Sequence, residues 1–196
     1  MRRARSPSIT LLVMLFRGSS RVGAVRLACS EDMTRWYPLE PSDAGVLASA
    51  PHVYRYRMQY AAPPEQVWGS LASDASLAAW GPSVKEVNWL SPRPFGVDTI
   101  REVVLAGGAR VHERFLRWDE GHGYSFAVYE ANVPVFRHFV EDYVVEADGD
   151  GTLFTWTIAI EPKGAFSLPF KVLSPVLKAA FGRTAADGKR YFAKQA

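Results

Sequence analysis

The stretch TIREVVLAGGARVHERFLRWDEGHGYSFAVYE, residues 99–130, decides the fold. Its runs 99–105, 110–118 and 124–130 are rich in β-branched and aromatic residues and carry apolar residues at alternate positions, the pattern of half-buried strands. Only AGG (106–108) and DEGHG (119–123) separate them. A parallel crossover needs a dozen residues or more, so the three runs are antiparallel neighbours joined by hairpins.

The same reading extends in both directions. VKEVNWL (84–90), VFRHFVEDYVVE (135–146) and TLFTWTIAIEP (152–162) are further strands, set off by the turn signals SPRPFG, ANVP and ADGDG. HVYRYRMQY (52–60) puts Tyr54, Tyr56, Met58 and Tyr60 on one face. Seven strands, six of them without an intervening helix, make one antiparallel meander. APPEQVWGSLASDASLAAWGP (62–82) reads as two short helices. The first opens at Pro63-Pro64 and presents Val67, Trp68 and Leu71; the second is capped by Asp74 and presents Leu77 and Trp80. Helices this short form only when packed on something larger. Trp68 and Trp80 are therefore expected to anchor the pair on the curved sheet and close one end of it. SLPFKVLSPVLKAAFGRTAADGKRYFAKQ (167–195) has Phe170, Leu173, Leu177, Ala180, Phe181 and Tyr191 at helical spacing. Pro175 should kink this helix and Gly182 loosen it. The fold class is α+β, in the order β-α-α-β6-α: a strongly curved seven-stranded antiparallel sheet wrapped around one long C-terminal helix.

With AAPPEQVWGSLAS, LAAWGP, TIREVVLAGG, HERFLRWDEGHGYSF and DGTLFTW in place, the chain resembles the helix-grip superfamily over about 53–194. That SRPBCC or START-like group includes lipid-transfer domains, polyketide cyclases and aromatases, birch-pollen-type allergens and plant abscisic-acid receptors. The likeness is to its polyketide cyclase/dehydrase and lipid-transport branch. It implies a cavity between sheet and helix with an apolar or amphipathic small molecule inside. It does not imply which molecule, because the superfamily mixes enzymes, carriers and receptors.

Turn geometry identifies the inward face. If AGG is a three-residue hairpin loop, Leu105 faces Ala109, Val103 faces Val111 and Arg101 faces Glu113. A two-residue Gly-Gly loop would oppose Glu102 to Glu113 and Arg101 to Arg114, like charge against like. The first register is preferred. It turns Arg101, Val103, Leu105, Val111, Glu113 and Phe115 inward, with His112 outward. Arg101 and Glu113 then form a cross-strand pair that is either structural, near the rim, or a ligand anchor. As an anchor, Arg101 would meet a carboxylate or carbonyl and Glu113 a hydroxyl or water. The resemblance supports an inward acid at HERF and an inward arginine at REV. Trp156 shares its face with Phe154, Ile158 and Ile160 and is expected inside. In RHFVEDYVV the alternation leaves the side of Tyr143 open, because a bulge could switch faces midway. The candidate ligand-binding residues are thus Arg101, Val103, Glu113, Phe115, Tyr143 and Trp156.

Other chemistries find no support. The four histidines show no metal-ligand spacing, GDG (149–151) lacks companion calcium ligands, and neither a phosphate-binding glycine loop nor a GxSxG elbow occurs. No metal or cofactor is implied. The 196 residues, 48% hydrophobic and 13% aromatic, suffice for a real core. Of the net charge of +3, residues 1–32 supply Arg2, Arg3, Arg5, Arg17, Arg21 and Arg26 against Glu31 and Asp32, leaving 17 basic and 18 acidic residues for the body. A neutral body argues against a nucleic-acid groove. The single cysteine, Cys29, excludes an internal disulfide and suits a reduced cytoplasmic setting. The apolar run Ile9–Phe16 is short for a signal peptide, is followed by Arg17, and falls well under the roughly 20 residues of a membrane span. Residues 1–50 read as a poorly ordered extension, with Met33 of MTRWYPLEP as an alternative start, and 51–196 as one domain.

The function expected is binding, transport or sensing of a hydrophobic or amphipathic molecule, such as a lipid or polyketide, in an internal cavity. The first alternative is a cyclase/aromatase in which Arg101 polarises a carbonyl while Glu113 or Tyr143 moves a proton during aldol cyclisation and water loss. The second is a ligand-independent interaction module.

Overall fold

The computed structural model describes residues 34–195. The elements, in chain order, are β1 (Tyr37–Pro38), α1 (Val46–Ser49), β2 (His52–Tyr60), α2 (Pro64–Leu71), a 3-10 helix (Ser76–Ala79), β3 (Val84–Trp89), β4 (Ile100–Leu105), β5 (Arg110–Asp119), β6 (Gly123–Ala131), β7 (Phe136–Asp148), β8 (Gly151–Pro162) and α3 (Ser167–Phe192). Seven strands pair antiparallel in the order β2-β8-β7-β6-β5-β4-β3, and α3 lies in the concavity. This is the helix-grip arrangement. The β4–β5 register is Arg101 opposite Glu113 and Val103 opposite Val111, as the three-residue loop requires. Gly107 and Gly108 make that loop possible, with φ of 97° and 89°, and the Leu105 N–H bonds the Ala109 carbonyl.

The tyrosine face of β2 is what holds α3. Tyr54 shares a 2.7 Å hydrogen bond with Ser174, Tyr56 donates to the Lys178 carbonyl at 2.6 Å, and Tyr60 donates to the Ala185 carbonyl at 3.3 Å. Helix α3 runs from Ser167 to Phe192 as a single element with Pro175 inside it.

Two expectations change. Asp74 does not cap the second short helix; it is exposed and pairs with Arg93. The N-cap position is Ala75, the Ser73 hydroxyl accepts the Ser76 N–H at 3.0 Å across the preceding turn, and the 3-10 helix begins later, at Ser76. The extension expected to be poorly ordered as far as residue 50 is, from residue 34 onward, laid on the sheet. Strand β6 pairs with β7 only through Gly123–Ala127. At its far end β1 takes the vacant edge, Tyr37 opposite Ala131 and Pro38 opposite Glu130. The Leu39 N–H then bonds the Tyr129 carbonyl and the Glu40 N–H the Arg137 carbonyl. Helix α1 packs on β7 and β8. Val140 and Ala159, opposite in parity to the inward residues, are accordingly buried as well. The apolar leader, Cys29 and Met33 lie outside the described residues. Among the described residues no helix is long and apolar enough to cross a membrane.

Candidate functional site

Between the concave sheet and α3 is a cavity of about 100 Å³. Its apolar wall includes Leu77 from the 3-10 helix, Val103, Val111 and Phe139 from the sheet, and Phe170, Leu177, Ala180 and Phe181 from α3. Partly exposed Ser83, Leu105, Val133 and Phe181 mark where this lining reaches the surface. Six side chains bring polar atoms: Ser83 at the surface end, Thr184 of α3, whose hydroxyl donates to the Ala180 carbonyl, and Glu113, Glu141, Tyr143 and Trp156. On a scale where one water needs roughly 10–15 Å³ and takes up ~30 Å³ of liquid, the space corresponds to about 200–300 Å³ of contents. That is the lower end of small-molecule pockets.

Arg101 and Glu113 are together, inward and deep, not at a rim. The Arg101 Nε donates to Glu113 Oε2 at 2.6 Å, and the two are 0% and 5% exposed. Arg101 does not reach the cavity wall, however. Its guanidinium carbon is 4.9 Å from the Phe126 ring centre, 5.0 Å from Phe115, 5.2 Å from Trp89 and 5.4 Å from Tyr124. Nη1 donates to the Ser76 hydroxyl at 3.3 Å and reaches the Tyr124 hydroxyl at 3.5 Å, while Nη2 has no hydrogen-bond partner. The surrounding ring faces supply the compensation for that buried group. Arg101 thus stands behind Glu113, off the cavity wall. Phe115 lies with it, against the guanidinium and likewise absent from the wall. Val103, Glu113, Tyr143 and Trp156 do line the cavity. Burial acts to lower the Arg101 pKa, but facing Glu113 and neighbouring hydroxyls outweigh it and the net shift is upward. A guanidinium cannot be discharged, so the short bond holds the pair ionised although burial pushes Glu113 upward.

The residue missed by sequence reasoning is Glu141. A register shift between Phe136 and His138 sets the parity of β7, after which Phe139, Glu141, Tyr143 and Val145 are all buried on the inward side. Glu141 Oε2 accepts from the Tyr143 hydroxyl and from Trp156 Nε1, each at 2.8 Å. Burial first, and then the nearby charge of Glu113, push its carboxyl up to about 8, against the two hydrogen bonds and Arg101. The cavity thus holds one ionised carboxylate and one carboxyl that keeps its proton at neutral pH. Environments that split two acids in this way suit acid–base work as well as recognition.

The opening pair of tryptophans is structural in its contacts. Trp68 donates from Nε1 to Glu120 at 2.9 Å and meets Trp118 edge-on at 5.1 Å. Trp80 packs on Tyr60, Phe154 and Phe192. Neither lines the cavity; Leu77 of the 3-10 helix does. His112 points to the outer side, stacked on Trp36 at 3.9 Å and bonded to Glu130 at 2.8 Å. A second crevice, about 480 Å³ between His52, Arg137, Glu161 and Lys171, is more open, with Arg137 and Glu161 paired at 2.9 Å. Among the described residues no group of three or more His, Cys, Asp or Glu is placed to hold a metal.

Comparison with known proteins agrees with this geometry. The family model described as polyketide cyclase / dehydrase and lipid transport matches residues 50–192. Uncharacterised proteins of Mycobacterium tuberculosis and Mycobacterium bovis are 32% identical over 155 residues, covering 79% of this chain and 93% of theirs. A START superfamily protein from Mycobacterium smegmatis superposes with a TM-score of 0.62 at 12% identity, over 74% of this chain and 99% of that one. An aromatase/cyclase from Streptomyces sp. R1128 gives a TM-score of 0.59 at 16% identity, over 74% and 92%. Likeness at these identities is likeness of fold.

Proposed function

We propose, from the premise that the chain belongs to the polyketide cyclase / dehydrase and lipid transport family, that it binds one small hydrophobic or amphipathic molecule between sheet and helix. The observation that carries this reading is the cavity itself, apolar on nearly every side, with Glu113, Glu141, Tyr143 and Trp156 among its few polar side chains. A packed domain of this size would otherwise fill such a space with side chains. The contents are of the order of ten to fifteen non-hydrogen atoms, from the liquid volume given above. Transport or sensing of such a molecule is the use that needs nothing further from the chain. The test is extraction: protein purified under native conditions is denatured, extracted into organic solvent and examined by mass spectrometry. One apolar species at near-stoichiometric yield is expected. A consistently empty protein that also gains no thermal stability from hydrophobic additives would overturn the reading in favour of a ligand-independent interaction module.

One observation favours a second reading, a cyclase or dehydrase. Glu113 as carboxylate and Glu141 as carboxyl line the same cavity, and general base and general acid are what aldol cyclisation with loss of water requires. In that reading Glu113, not Arg101, meets the substrate. Glu113→Gln would keep the bound molecule and abolish turnover of a polyketone substrate; loss of binding alone would favour the carrier.

A further inference from the structure

The cavity has two carboxyl groups on its wall and one guanidinium behind it. Arg101 gives its Nε–H to Glu113 at 2.6 Å and turns its other contacts to Ser76 and Tyr124. Its charge is thus committed to Glu113. Glu141 receives only neutral donors, the Tyr143 hydroxyl and the Trp156 indole N–H, both on Oε2. An ionised carboxylate in an apolar enclosure without a counter-ion is costly, and such a group neutralises instead. A neutral carboxyl has one O–H to give. With Oε2 already accepting twice, the proton belongs on Oε1, and the cavity is the space Glu141 lines. From this we infer that Glu141 presents a carboxylic O–H to a carbonyl oxygen of an uncharged ligand, so that the molecule taken is an aliphatic or cyclic ketone or ester. The inference rests on the small-molecule reading above.

The same geometry selects against other ligand classes. A carboxylate ligand would meet Glu113 with no free cation to receive it, since the guanidinium is sealed behind four aromatic rings. A purely hydrocarbon ligand would leave the Glu141 proton without an acceptor. The titratable and charged groups around Glu141 are Glu113 from β5, Arg101 from β4, Tyr124 from β6 and Tyr143 from its own strand. Helix α3 contributes Phe170, Leu177, Ala180, Phe181 and Thr184 to the wall, none of which titrates in the working range.

Titration calorimetry on the full chain with three ten-carbon probes, methyl octyl ketone, decanoate and decylamine, tests this. The ketone should bind at pH 7 at least tenfold more tightly than either charged probe. Its affinity should fall roughly tenfold between pH 7 and pH 9, as Glu141 loses the proton it holds up to about 8. Glu141→Gln, which cannot ionise, should flatten that profile; Glu141→Leu should bind the ketone, at every pH, about tenfold more weakly than wild type does at pH 7. If the leucine variant fails to fold, the wild-type pH profile and the glutamine variant still decide the matter. Preference for decylamine would mean that the acids bind a cation, and preference for decanoate or a pH-independent ketone affinity would mean that Glu141 is not the donor. Each overturns the inference. Equal binding of all three would overturn it while leaving the cavity reading intact, and binding of none would overturn both.

Discussion

Glu113 and Arg101 differ in what each leaves behind when its partner is removed. Glu113→Gln strands a guanidinium that is fully buried and cannot lose its proton. Arg101→Met strands a carboxyl that can take one up. Breaking a buried pair costs about 3–5 kcal/mol, and the glutamine variant should fall at the upper end, with the methionine variant below it at neutral pH. The double variant should recover part of the loss. Urea unfolding of the three proteins measures this, and an arginine variant less stable than the glutamate variant would mean that the guanidinium's ring contacts outweigh its charge. Glu141 carries a second expectation, with an opposite dependence from that of an ordinary salt-bridged acid. Its native pKa is raised from 4.5 to about 8. Its favourable contribution is therefore whole below about pH 4.5 and is lost as pH rises to about 8. Across that window wild type should lose stability relative to Glu141→Gln at about 1.4 kcal/mol per pH unit. Parallel stability curves would show that Glu141 is ionised in the native state. The Arg101–Glu113 pair was legible because loop length and like-charge repulsion together fix one register. Glu141 was not, since the register shift at Phe136/His138 decides its side and sequence alternation cannot place such a shift.

Short elements take their form from what they dock against, and two substitutions separate that docking from intrinsic propensity. Trp68 occupies the eight-residue α2, 7% exposed, with its indole N–H on Glu120 and its ring against Trp118 and Tyr124. Trp68→Ala should cost about 3–5 kcal/mol. Near-native stability would mean that α2 holds without its anchor. In α3, Gly188 sits where a Cβ would come within 2.6 Å of the Tyr60 hydroxyl oxygen and 2.7 Å of Trp80 Cε3. Alanine is about 1 kcal/mol better than glycine in a helix interior. Tyr60 and Trp80 are buried in the same aromatic cluster and cannot yield. Gly188→Ala should therefore be net destabilising by about 1–3 kcal/mol, read from the shift in urea midpoint; a gain would show that the helix can withdraw from β2. The strands and α3 were readable because period-2 alternation holds over six to thirteen residues in β2–β8 and helical spacing over 26 in α3. The start of the 3-10 helix was not, because Asp74 is a good cap in sequence, and what places the start is the buried Ser76, held by the Ser73 hydroxyl and the Leu71 carbonyl.

The curved sheet ends in open edges at β2 and β3, and it also splays within, between β6 and β7. Past Ala127 the two strands no longer pair, which leaves a row of β6 backbone groups without partners from β7. Residues 37–40 fill that gap, and α1 covers the outer side of β7 and β8 behind it. Residues 37–40 are too few to show a strand period in sequence, and their partners are more than 80 residues away. Residues 37–49 thus lie against the domain read as 51–196. A chain beginning at Pro51 would lose the burial of Leu39, worth about 1.5–3 kcal/mol. It would also lose the hydrogen bonds from Leu39 and Glu40 to Tyr129 and Arg137, each worth about 0.5–1.5 kcal/mol. The Glu40–Arg137 ion pair at 3.0 Å is exposed and adds little. A loss of about 3 kcal/mol lowers the melting temperature of a domain this size by roughly 6–12 °C. The Pro51 truncation should show that drop by calorimetry, together with faster hydrogen exchange in 128–131. Because Val135, Phe136 and Phe139 line the cavity just beyond the same opening, it should also release the bound molecule faster. A truncated chain that melts with the full one and retains its ligand would place the domain boundary at 51 after all.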